Sequence, residues 1–132
     1  MKYRYRIDPS NNLIIDKFEG NLCPNAMLNS LQLASQDPDY KLRMDVLSDM
    51  TEARLDMENQ DIRQLAGTMS PIPNLRYNRI AIVTSEKLQY GLFRMMGSVS
   101  DVFDIYNEFQ VYSDFSQAKK WLGLPDNYDP KI

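Results

Sequence analysis

Carboxylates, hydroxyls and one thiol are the groups through which this chain could do chemistry. It has no histidine and a single cysteine, so Ser-His and Cys-His arrangements lack their base, and imidazole-bound zinc or iron is excluded too. No glycine-rich phosphate loop is present. Cys23 precedes Pro24 at an expected helix start, where oriented N–H groups favour a thiolate, with Lys17 as the only other activating group nearby. A capping position explains it more simply than a redox role. Asp45, Asp49, Glu52 and Asp56 fall around the expected exit of the third strand, and such oxygen donors suit Mg²⁺ or Ca²⁺. Their spacing matches no EF-hand loop, and acids at strand ends ordinarily cap helices or face water, so neither metal nor cofactor is assigned. Beyond the carboxyl ends of parallel strands, where such sheets tend to bind ligands, the sequence would gather Ser48, Asp49, Thr51, Thr84, Ser85, Ser113 and Asp114. Ser85 and Asp114 serve equally well as caps.

Two further sets point to binding. Tyr90 and Arg94 lie four residues apart on the helical face opposite the apolar stripe, spaced for a ring to meet a guanidinium, with Phe93 on the shoulder. Aromatic and arginine side chains are typical anchors of protein contacts. Met50, Met57, Met69, Met95 and Met96 sit near the second and third helices, where flexible thioethers either fill a core or line an adaptable apolar groove.

The elements that must position these residues follow from hydrophobic periodicity. Strand-like runs at Tyr3–Ile7, Leu13–Phe18, Leu42–Leu47, Ile80–Val83 and Phe109–Tyr112 alternate, after the second, with helix-period segments. Asp8 to Asn12 is a turn, making the first two strands a hairpin. Pro24 to Ser35 forms the first helix, stopped by Asp37-Pro38. Alternation of Leu42, Met44 and Val46 with charged residues predicts a third strand less buried on one face than the fourth. Ile62, Leu65, Ala66 and Met69 stripe a second helix that Asp56 would cap. The third begins near Glu86, its stripe of Leu88, Leu92, Met95, Met96, Val99, Val102 and Phe103 spanning an arc of about 120 degrees. Asp114 and Gln117 have capping-box spacing before a short last helix, and residues 124–132 read as a loose tail. The prediction is one α/β domain over residues 1–123, a mixed five-stranded sheet in the order ββαβαβαβα with about four helices.

Composition agrees with one core: 132 residues with 43% apolar content suffice for a single domain. The 15 basic and 18 acidic residues are intermixed, giving a net charge of −3 and neither a nucleic-acid surface nor a basic stripe for membranes. The apolar runs are too short to span a bilayer, and no signal-like run follows the charged start, so a cytoplasmic protein is expected.

The order of elements, with Asp37-Pro38-Asp39-Tyr40 after the first helix, Asp45 to Asp49, Tyr90-Gly91-Leu92-Phe93-Arg94-Met95 and Ala118 to Gly123, resembles the SpoIIAA-like family, related to STAS domains and anti-anti-sigma factors. The resemblance spans nearly the whole chain. It implies a STAS-like sheet flanked by helices and a binding role. In the anti-anti-sigma relatives a serine at the start of the second helix is phosphorylated, but Leu55 to Gln60 holds no serine or threonine, and that switch is not carried over. The expectation is a non-enzymatic regulatory or scaffolding module. It would dock a protein partner, a second copy included, through the third helix and the loops near Asp49 and Asp56. Asp49, Asp56, Tyr90, Phe93 and Arg94 are the candidate contacts. The second reading is a carrier or sensor of a small apolar, lipid-like ligand between the second and third helices.

Overall fold

A computed structural model describes residues 1–100 and 103–132, with backbone alone for Met95, Ser98 and Ser100. Its elements are β1 (Lys2–Asp8), β2 (Leu13–Asn21), α1 (Pro24–Ser35), β3 (Met44–Arg54), α2 (Asn59–Met69), β4 (Tyr77–Val83), α3 (Glu86–Ser100), β5 (Tyr106–Tyr112) and α4 (Phe115–Trp121), with a 3-10 turn at Pro9–Asn11. The fold is α/β with a mixed five-stranded sheet, as its sequence periodicity indicates. Strand order is β1-β2-β3-β4-β5, with β1 antiparallel to β2 and the rest parallel. Each crossover steps in the same direction across the sheet, and right-handed crossovers therefore lay α1, α2 and α3 on one face. The other face is covered by α4, with Leu124 and Tyr128 of the C-terminal segment beside it.

Strand alternation divides the core accordingly. Ile14, Phe18, Val46, Met50 and Ile82 pack with Met27 of α1, Leu65 of α2 and Leu92 of α3. Leu13, Ile15, Leu47, Ala81 and Val83 pack with Ala118 and Leu122 on the α4 side. In α3, Leu92 and Val99 are buried while Leu88 and Met96 pack partly against the same cluster, and Phe103, expected in the helical stripe, packs against it from beyond Ser100. Of the others expected in that stripe, Val102 lies outside the described residues and Met95 outside the described side chains.

Three expectations are corrected. First, β3 is longer and more buried than its alternation indicates, with every residue from Met44 to Ser48 buried, because it is the middle strand. Asp45 reads as a wet-face residue, yet it is 9% exposed because Arg79 on β4 neutralises it at 2.8 Å and the Arg79 guanidinium stacks on Trp121. Second, the cap of α2 is Glu58, not Asp56; the Glu58 N–H donates to Asp61 Oδ2 at 2.9 Å within a capping box. Third, residues 124–132 are strapped to the body. Arg6 donates to the carbonyls of Asp129 and Lys131 at 2.9 and 2.8 Å, and the Tyr128 hydroxyl donates to Asp8 Oδ2 at 2.6 Å. Among the described residues no helix is long and apolar enough to cross a membrane.

Candidate functional site

Three helices on one sheet face leave a gap where their stripes do not close onto the strands. A cavity of about 120 Å³ lies there. Met27 and Leu31 of α1, Leu65, Ala66 and Met69 of α2, and Leu92, Met96 and Val99 of α3 form its roof. Its floor is the sheet: Ile14, Phe18, Val46, Met50, Ile80 and Ile82, interrupted by Asp16 and Ser48. Those two residues are register partners on adjacent parallel strands, and each is 2% exposed. Asp16 occupies the inward position between Ile14 and Phe18 on β2, so the pleat that buries its neighbours buries the carboxyl with them.

An acid so placed is held largely by what is withheld from it. The Tyr3 hydroxyl donates to Asp16 Oδ2 at a long 3.3 Å. Asp16 Oδ1 and Ser48 Oγ have no hydrogen-bond partner among the described residues. Burial pushes the Asp16 carboxyl up to about 7, with the Ser48 and Tyr3 hydroxyl dipoles pulling against it and the Asp49 charge adding to the rise. Ser48 faces the carboxyl without the geometry of a completed hydrogen bond. Burial and then the Asp16 charge raise Tyr3, and burial followed by Tyr40 raises Tyr77, so both phenols stay protonated. The site is thus an apolar chamber with a near-neutral carboxyl and an unmet hydroxyl at one point of its wall.

The residues expected to act from the sequence fall elsewhere and apart. Asp49 lies on β3 towards the α4 side, where Lys17 sits 3.9 Å away and Thr51 donates to it through N and Oγ1 at 2.9 and 2.6 Å. Glu52 pairs with Lys17 at 2.9 Å. With Asp45 bound to Arg79, the four acids do not converge, and no group of three metal-binding side chains is found among the described residues. Asp56 is exposed ahead of α2. Arg94 and Gly91 line a shallow groove of about 580 Å³ with residues 57–60, but Arg94 makes no ring stack with Tyr90 among the described contacts. Tyr90 is 76% and Phe93 56% exposed, Phe93 resting against Phe109 with ring centroids 5.4 Å apart. Thr84 is buried and donates to the Met50 carbonyl at 3.0 Å, and Asp114 caps α4 by accepting from Gln117 N at 2.9 Å. With the strands ordered in sequence, the sheet has no reversal point to open a crevice at its carboxyl ends.

The methionine pattern does reach the cavity: Met50, Met57, Met69 and Met96 line it, joined by Met27, while Met95 lies outside the described side chains. Asp16 was not legible as a site residue. The available signal was its phase, since Ile14, Asp16 and Phe18 must share one strand face, and a carboxylate on a core face is seldom unpaired. No family model matches the chain, and neither does any curated protein or solved structure.

Proposed function

We propose that this protein is a non-enzymatic carrier or sensor that holds a small, mainly apolar molecule between its sheet and helices α1 to α3. The observation that carries this reading is the chamber of about 120 Å³, close to the size of a core cavity of about 150 Å³ that admits benzene. A native core ordinarily closes such space, because unfilled volume forfeits dispersion contacts. The methionines around it supply adaptable walls. A cytoplasmic location accords with the lone, exposed Cys23.

The test is thermal unfolding of the protein across a benzene concentration series. A ligand that binds only the folded state raises Tm with concentration, and above the dissociation constant the rise should continue with the logarithm of benzene concentration, as mass action requires. A Tm that does not move would overturn the reading.

A second reading, a regulatory or scaffolding module that docks a protein partner or a second copy of itself through α3, is favoured by the exposure of Tyr90 and Phe93 on adjoining faces of that helix. Affinity capture from the native organism with wild-type and Tyr90→Ala/Phe93→Ala baits tests it. Identical catches from the two baits would remove this surface from consideration.

A further inference from the structure

We propose that the polar point on the cavity floor reads a hydroxyl group, so that the molecule held there is a benzene-sized apolar body bearing one hydroxyl, recognised by Asp16 and Ser48. The inference rests on the ligand reading above and adds the chemical class.

Two atoms without a hydrogen-bond partner among the described residues define the point, Asp16 Oδ1 and Ser48 Oγ. They belong to register partners on β2 and β3, and both side chains are 2% exposed, so water from outside does not satisfy them. Buried polar atoms without partners are rare and costly, and a pair on neighbouring strands is complementary to a single group. A hydroxyl fits that pair: it donates its proton to the carboxyl oxygen and accepts from the serine O–H. Other heads fit less well. A carboxylate offers no proton to Asp16 Oδ1, an ammonium offers protons to both oxygens but no lone pair for the serine proton, and a bare hydrocarbon leaves both atoms unmet.

The phenols on the remaining wall are engaged with the protein itself: Tyr3 donates to Asp16 Oδ2, and Tyr77 interacts with Tyr40. The Tyr106 hydroxyl donates to the Met96 carbonyl at 2.5 Å, and the Tyr40 hydroxyl donates to the Asn74 carbonyl. Leu65, Ala66 and Leu92 present only hydrocarbon to the opposite side. One polar contact at one end and apolar packing elsewhere also orient the ligand, which is how largely apolar sites obtain specificity. A single trapped water would satisfy the same two atoms, and the experiment separates the two cases.

The intact protein is titrated with benzene and with phenol, and dissociation constants are taken from the ligand dependence of Tm. Phenol should bind on the order of tenfold more tightly than benzene, the scale of one good hydrogen bond after desolvation. In Asp16→Val/Ser48→Ala, which replaces the polar point by apolar groups, the advantage should vanish while benzene still binds. Ser48→Ala alone, a smaller change, should already reduce it. If wild type binds benzene but prefers phenol no more than the double variant does, the hydroxyl reading is wrong and the apolar chamber stands. If neither probe raises Tm, both readings fall.

Discussion

Replacing Asp16 by asparagine tests the electrostatics of the cavity floor without changing its shape. In the folded protein burial pushes this carboxyl up to about 7, against an ordinary value near 3.8 in the unfolded chain. Between those values the folded state keeps a proton that the unfolded state releases, so stability from this group is complete below about pH 4 and declines as pH rises through 7. A displacement of roughly three pH units at about 1.4 kcal/mol each gives a loss on the order of 4 kcal/mol, an upper bound because any water reaching the carboxylate recovers part of it. Asparagine cannot titrate. Urea unfolding of both proteins at half-unit steps from pH 4 to 8.5 yields a difference curve from which the other groups largely cancel. The two should be within about 1 kcal/mol near pH 4, and the variant should be more stable by about 2–4 kcal/mol at pH 8. A flat difference curve, or wild type gaining stability with pH relative to the variant, would mean that Asp16 is solvated or paired, and the account of the floor would be wrong.

Further outcomes follow from other contacts. Arg79→Ala strips the buried Asp45 of its cation and the Trp121 ring of its stack, and should cost about 3 kcal/mol in urea unfolding, the scale of a buried charge left without its partner. Asp61→Ala opens the α2 capping box and should cost about 1 kcal/mol, whereas Asp56→Ala should change stability by less than about 0.5 kcal/mol. Equal effects would restore Asp56 as the cap. Tyr128→Phe removes the hydroxyl that, with Ser10 and Asn11, keeps Asp8 below the usual carboxylate range; amide exchange in residues 126–132 should quicken severalfold while the sheet is unaffected.

The order of elements was legible because short strand-like runs give way to apolar stripes of period 3.6, as where the continuous apolar run Ile80–Val83 is followed by the α3 stripe. Side-chain surroundings were legible only where they are local. Asp114 capping Gln117 is a three-residue relation and was found; Asp45 with Arg79 joins residues 34 apart, and Tyr128 with Asp8 joins residues 120 apart, beyond any periodic pattern. Polar residues at Asp49 and Glu52 read as an acidic loop because strand pairing with β2, which runs on to Arg54, is set by the neighbouring strand. Asp16 went unnoticed for a related reason: one acid inside an apolar run resembles a wet-face position until its neighbours fix which face is wet.

The central claim, that a chamber inside the large core accepts an apolar guest, is tested most directly by NMR of protein carrying ¹³C-labelled methionine methyls, titrated with benzene. Met27, Met50, Met57, Met69 and Met96 line the chamber and Met1 lies exposed at the chain start. The five lining methyls should shift together along one saturable curve, from the ring current of a guest beside them, while Met1 stays in place. Unmoved lining methyls, or a non-saturating drift shared with Met1, would contradict the claim.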